Sequence, residues 1–213
     1  MTQQAGKLIT VEGIEGVGKT TNLRFMVEWM HNHSQPVLAT REPGGTPLAD
    51  DIRHFLLADH NEIICPDAEL LLMFAARAQH LARVILPALH SGKWVICDRF
   101  TDASYAYQGA GRGLPMSKIA TLETLVQGEL RPDLTILLDA PLEVALERIK
   151  QRGKLDRFES EEISFFERVR NNYLERASRE PHRFRVVSTH QNEEIVQSKI
   201  VAILEEFVAV HAN

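Results

Sequence analysis

LITVEGIEGVGKTTNLRFMVEWM, residues 8–30, is the stretch whose reading decides the fold. Its centre, Gly13 to Thr20, fits the pattern G-x-x-x-x-G-K-[ST] without a mismatch. The glycines allow tight turns that aim successive backbone N–H groups at phosphate oxygens. Lys19 has the reach for β- and γ-phosphates, and the Thr20 hydroxyl suits Mg²⁺. The flanks test the motif. Leu8–Glu12 is a short β-branched, apolar run, the pattern of a buried strand. After the loop, Leu23, Met26, Val27 and Met30 recur at helical spacing, and a helix starting near Gly18 would add the positive end of its dipole. Strand, glycine loop and helix in that order is the context of a phosphate-binding loop. The alternative is a glycine-rich turn that binds nothing.

Outward from this unit, apolar runs alternate with helical stretches. Val37–Thr40, Trp94–Cys97, Thr135–Leu138 and Arg185–Ser188 read as four further strands, mostly apolar throughout. That suits a parallel sheet covered on both faces, an α/β fold. Helices are predicted over Lys19–His31, Leu48–Leu57, Asp67–His90, Ser117–Gly128, Leu142–Gln151, Glu161–Ser178 and Glu193–Val210, with Pro87 expected to kink or end the third. In such sheets ligands bind beyond the carboxyl ends of the strands. The glycine loop, Arg41–Thr46, Asp98-Arg99 and the turn after Asp139 all fall there.

The chain has 213 residues, enough for one α/β domain spanning 1–213. Two cysteines, Cys65 and Cys97, do not make a disulfide framework and suggest a reducing compartment, hence a cytoplasmic protein. The start, MTQQAGK, lacks an apolar core segment, and no long apolar run stands out, so neither a signal peptide nor a membrane span is expected. A net charge of −5 argues against non-specific binding of nucleic-acid polymers, while leaving room for a small anionic substrate among local arginines.

Several clusters carry chemistry. Asp98 ends an apolar strand, where a phosphate-loop protein sets its Mg²⁺-side carboxylate; Arg99 beside it could hold a second phosphate, or the two could be a loop cap and its surface partner. Arg41, Glu42, Pro43 and Gly44 make an irregular loop at the sheet edge, or an ordinary turn. Glu15 inside the phosphate loop would repel phosphate unless it orders an arginine or a metal-bound water; it could also face solvent. Arg148, Arg152, Lys154 and Arg157 form a basic run that could close as a lid over about 148–160, stabilising charge and excluding water, or be a solvated helix end. Phe74 and Arg77 lie i, i+3 and could stack on a base and bond its edge, although Leu70–Phe74 also reads as core. Ser104, Tyr105, Tyr107 and Gln108 are read as a polar loop, with Gly109, Gly111 and Gly113 making the adjoining segment mobile or tightly bent. The histidines, His80 among them, show no metal spacing and are read as surface or helix-end residues.

With these residues in view the chain closely resembles the bacterial type of thymidylate kinase over nearly its whole length. VEGIEGVGKTT, TREPGGTPLA, LLLMFAARAQH, CDRFTDASYAYQGAGRG, RPDLTILLDAP and RGKLDRFE occur in the family's order. The resemblance implies a phosphate-loop nucleoside monophosphate kinase fold, a five-stranded parallel sheet flanked by helices. It implies transfer of the γ-phosphoryl of ATP to dTMP with Mg²⁺, giving dTDP and ADP on the way to dTTP, usually in a homodimer. Under it Gly13, Ile14, Glu15, Gly16, Val17, Gly18, Lys19 and Thr20 cradle ATP, with Arg148 nearby, and Thr20 and Asp98 serve the metal. Arg99 binds the dTMP phosphate, bordered by Arg41, Glu42 and Pro43. Phe74 stacks on thymine, Arg77 bonds its edge, Ser104 and Gln108 lie near the base, and Tyr107 packs under the deoxyribose. Ile14, Glu15, Gly16 and Val17 include no basic residue, which resembles the members that put the catalytic arginine in the lid; Arg152 is that residue here, with Lys19, Arg99 and Glu15 completing the catalytic set. Many members carry the stacking phenylalanine four residues before the helix arginine, where this chain has Met73. Two rival readings are a kinase for another nucleoside or nucleotide, and a nucleotide-dependent switch.

Overall fold

The structure, a computed structural model, describes residues 6–153 and 156–211. The basic-run residue Lys154 and most of the MTQQAGK segment lie outside the described residues. Five parallel strands form one sheet: β1 (Leu8–Glu12), β2 (Val37–Arg41), β3 (Trp94–Asp98), β4 (Leu134–Asp139) and β5 (Phe184–Ser188), in the order β2-β3-β1-β4-β5. This is the α/β architecture expected, and each strand agrees with its predicted run to within a residue at either end.

Burial explains the sequence of each strand. β1 is buried along its whole length, as are β3 and β4 except for a final aspartate. A polar pair at the sheet centre, Thr10 and Thr135, is satisfied by a bond between their hydroxyls at 2.9 Å, with Arg183 donating to Thr135 at 2.8 Å. The edge strands β2 and β5 are only partly covered, which is why they alternate more.

The helices are α1 (Lys19–Asn32), α2 (Pro47–Leu57), α3 (Pro66–His90), α4 (Thr101–Ser104 continuing as π-helical turns over Tyr105–Gly111), α5 (Met116–Gln127), α6 (Leu142–Arg152), α7 (Ile163–Arg179) and α8 (Glu193–His211). Thr46 caps α2, its hydroxyl accepting from the Ala49 N–H at 3.2 Å. In α3 the chain neither ends nor breaks at Pro87. A π-helical turn over Leu81–Ile85 precedes the proline, which lacks an N–H and falls in the following turn. Among the described residues α3 is the one helix long and apolar enough in composition to cross a membrane. It nevertheless buries Glu69, Arg77 and His80, all paired with other parts of the fold, so one face of it packs into the protein.

One expectation is overturned. Residues 101–111 are helical, not a mobile polar loop. Gly109 and Gly111 serve close packing: a Cβ at 109 would sit 2.6 Å from Met116 Sδ, and one at 111 would sit 2.5 Å from the Phe165 ring. Only Gly113, with φ +77°, makes a turn.

Candidate active site

The phosphate loop follows β1 and is shaped by three left-handed or otherwise positive-φ glycines, Gly13, Gly16 and Gly18. At Gly13 and Gly16 a side chain would also collide: a Cβ would lie 2.3 Å from the Leu138 carbonyl oxygen and 2.2 Å from that of Ala145. Ile14 and Val17 are buried in the core, so they fasten the loop while its backbone faces outward. Lys19 folds back on the loop, its Nζ donating to the carbonyls of Gly13 at 3.0 Å and Ile14 at 2.7 Å. Burial, and then the charge of Arg99, push the Lys19 ammonium down to about 8, against the pull of Asp98, Glu15 and Glu12.

Arg99 sits in a left-handed turn, φ +68°, just past β3. Its guanidinium donates to the Gly13 carbonyl at 2.8 Å and to Glu15 Oε1 at 2.7 Å, and lies 4.8 Å over the Tyr107 ring. Glu15 therefore does order an arginine. The Tyr107 hydroxyl donates to its other oxygen at 2.6 Å. Burial works to raise the Glu15 carboxyl, but Arg99 and Lys19 hold it below its ordinary value. Behind them, Glu12 accepts from the Phe100 N–H and from the Tyr173 hydroxyl, both at 2.7 Å, and so pins the turn that aims Arg99.

Asp98 Oδ1 is buried and has no hydrogen-bond partner among the described residues. Such an atom is costly unless something completes it. Thr20, exposed, lines the same cavity. An acidic oxygen short of a partner and a hydroxyl are hard oxygen donors, a set that fits Mg²⁺.

These groups open on one cavity of about 990 Å³, at the top of the range for a single ligand pocket. Glu15, Gly16, Gly18, Lys19, Thr20, Glu42, Pro43, Arg77, Asp98, Arg99, Ser104, Tyr107, Gln108, Arg148 and Arg152 line it, so most residues picked from the sequence converge. Arg148 donates to the Gly16 carbonyl at 3.4 Å and to that of Thr189 at 2.9 Å. Arg152 pairs with Glu159.

Four residues do not sit as expected. Phe74 is buried in a cluster with Leu70, Tyr105 and Ile119, and its neighbour Met73 lines the cavity instead. The reason is helical phase: position 74 faces α5, while Arg77 arches 4.5 Å over the Phe74 ring to reach the site. Arg41 is exposed, pairs with Asp50 at 3.4 Å and is absent from the cavity wall. Arg157 turns away from the cavity to Glu69 at 2.6 Å and the Leu56 carbonyl at 2.8 Å. His80 is fully buried, not a surface residue, bonding Glu42 at 3.0 Å and Thr40 at 2.7 Å.

Sequence reasoning also passes over Arg53, which lines the cavity and donates to the Pro43 carbonyl at 3.1 Å. Burial, then the charges of Arg41 and Arg99, push its guanidinium below its ordinary value, against the pull of Asp98 and Asp156. Glu12 does carry a usable signal: a carboxylate inside an otherwise apolar strand.

Comparison with known proteins agrees with this geometry. The sequence profile described as Thymidylate kinase matches residues 11–200. The chain belongs to the thymidylate kinase family. Thymidylate kinase of Pseudomonas putida (strain GB-1) is 55% identical over 204 residues, 96% of this chain and 97% of that protein. That of Alcanivorax borkumensis is 53% identical over 205 residues, 96% and 99% of the two chains. The crystal structure of thymidylate kinase from Ehrlichia chaffeensis superimposes with a TM-score of 0.76 at 32% identity, covering 94% of this chain and 99% of that one. The family assignment accords with the five-stranded parallel sheet and with the phosphate loop that begins the match.

Proposed function

We propose that this cavity transfers the γ-phosphoryl of ATP to the 5′-phosphate of dTMP, giving ADP and dTDP, with each end of the reaction served by its own residues. The single observation that carries the reading is the convergence of Lys19, Arg53, Arg99, Arg148 and Arg152 on one cavity beside the unpartnered Asp98 oxygen. These cations come from four separate segments, and Arg99 and Arg152 are held by Glu15 and Glu159; together they offer contacts for two phosphate groups, more than a switch that reads one nucleotide needs.

ATP lies along Gly13–Thr20, its phosphates meeting the loop N–H groups and the N-terminus of α1. Lys19 exchanges its two carbonyl contacts for phosphate oxygens. Asp98 and Thr20 would hold Mg²⁺, which would supply positive charge at the phosphates. Arg99 and Arg53 take the dTMP phosphate, with Glu42 and Pro43 bordering it. Glu42 also fixes Arg77, accepting from its Nε at 2.6 Å, while Ser104 and the Phe100 carbonyl take the rest of the fork. Four of the five guanidinium hydrogens are thereby occupied, leaving one for the base. Met73 covers the base, and Tyr107, anchored through Glu15, lies under the sugar. Segment 148–160 acts as the lid, and Arg152 leaves Glu159 for the transferring group. The transition state is loose and its charge is spread, so positioned cations accomplish most of the work. The acceptor phosphate is already ionised at neutral pH and needs no strong base.

The chain is proposed to act as a cytoplasmic homodimer. Leu71, 57% exposed on α3, is the kind of apolar side chain a second copy would cover. A coupled ADP-release assay with ATP, Mg²⁺ and a substrate panel tests the activity. Turnover with dTMP is expected; turnover with dCMP, GMP or thymidine but none with dTMP overturns it.

A further inference from the structure

Glu69, in the first turns of α3, is fully buried inside an apolar run and is not itself part of the cavity wall, yet three side chains from distant segments converge on it. Gln108 Nε2 donates to its Oε1 at 2.9 Å. Arg112 Nε reaches the same oxygen at 3.3 Å. Arg157, from the lid segment, donates to Oε2 at 2.6 Å. Both Glu69 oxygens therefore accept from guanidinium N–H groups. That settles a question of direction. The Gln108 amide must give its NH₂ to Glu69, so its carbonyl oxygen is the edge left over. Gln108 is 1% exposed, lines the cavity, and makes no hydrogen bond through Oε1 among the described residues. Because Gln108 lines the cavity, that oxygen is available to accept from a donor on whatever fills the pocket.

We propose that Glu69 is a positioning residue that sets the hydrogen-bond polarity of the base pocket: by holding the Gln108 amide in one direction, it makes the site select pyrimidines that carry a proton on N3. Thymine and uracil donate from N3. Cytosine presents a lone pair there, which would face the Gln108 oxygen and leave both unpaired. A site built to receive an N–H rejects a ring lacking it far more strongly than an apolar wall rejects a missing methyl group. The same carboxylate docks the lid segment through Arg157, so base choice and lid docking share one anchor. This inference rests on the reading of the cavity as a pyrimidine nucleotide site.

The test is Glu69→Gln, which conserves volume. Arg157 retains the new amide oxygen, so its NH₂ takes the place of Oε1 and faces Gln108. The Gln108 amide then turns and shows NH₂ to the cavity. Discrimination, the ratio of kcat/KM for dTMP to that for dCMP, is expected to fall by about tenfold or more. The ratio for dTMP to dUMP is expected to stay within about twofold, because both bases donate from N3. A general loosening of the pocket would move both ratios together, and that result overturns the proposal, as does an unchanged dCMP ratio in a folded variant. Should Glu69→Gln fail to fold, the wild-type protein answers with dTMP methylated at N3. Binding about 100-fold weaker than dTMP is expected, and equal binding overturns the proposal. Absence of dTMP turnover by the wild-type protein is a different failure, that of the parent reading.

Discussion

Arg77 and Arg152 face the same cavity from different walls, and they are held in opposite ways. Arg77 is 3% exposed and its fork is fixed by Glu42, Ser104 and the Phe100 carbonyl. Arg152 is 59% exposed and has Glu159 as its partner across a short turn. The same contrast runs through their surroundings. On the Arg77 side, most polar groups are already paired with protein, Glu42 with His80, Glu69 with Gln108, Tyr107 with Glu15, and the edges left open are one Arg77 hydrogen and the Gln108 oxygen. On the phosphate side, Lys19 is bonded to its own loop and Asp98 Oδ1 to nothing among the described residues. A base is flat, neutral and unchanging through the reaction, so its pocket can be finished in advance. Charge on the transferring group develops only in the transition state, and groups that exchange partners at that moment favour the transition state over the ground state.

Breaking the phosphate side should cost most. Lys19→Ala is expected to lower kcat by about 10³-fold while leaving dTMP binding close to normal, because the charge that moves from its loop carbonyls onto the developing phosphoryl is lost. Single-turnover rates and dTMP titration check the split. Breaking the base side should show as stability. Glu42→Ala strands the Arg77 guanidinium and His80 in the interior, and should destabilise by about 3 kcal/mol in urea unfolding. The hinge between the two sides yields the smallest, pH-dependent effect. Burial, with the charge of Asp102 next, pushes the Glu12 carboxyl up to about 8. Folded protein then keeps a proton that unfolded chain releases near 4.5, so stability from this group is present at acid pH and declines as pH rises to 8. Thermal unfolding from pH 5 to 8 should fall more steeply for wild type than for Glu12→Gln, whose amide stands in for the protonated acid.

The two sides also differ in how far the sequence discloses them. The phosphate loop is contiguous: strand, glycines, lysine, threonine and helix follow one another, so pattern and spacing carry both fold and site. The strands are legible for the same local reason, since burial on both faces demands unbroken apolar runs. The base side is assembled from afar. Glu69 meets residues 39 and 88 positions away, and Glu12 meets Tyr173 across 161. No spacing rule connects such partners. Phase on α3 is equally hidden: Phe74 and Met73 are adjacent, and only packing against α5 decides that the methionine faces the cavity. The helix over 101–111 escapes sequence reasoning because its glycines look like breakers, whereas they admit Met116 and Phe165 at distances no side chain tolerates.

The most direct test of the difference between the two sides is Arg152→Ala, read as a separation of catalysis from binding. Expected is a fall in kcat of about 10²-fold with the dissociation constant of dTMP within about twofold of wild type, the pattern of an interaction made only in the transition state. An unchanged kcat, or a loss of dTMP binding in step with the loss of rate, would contradict the account.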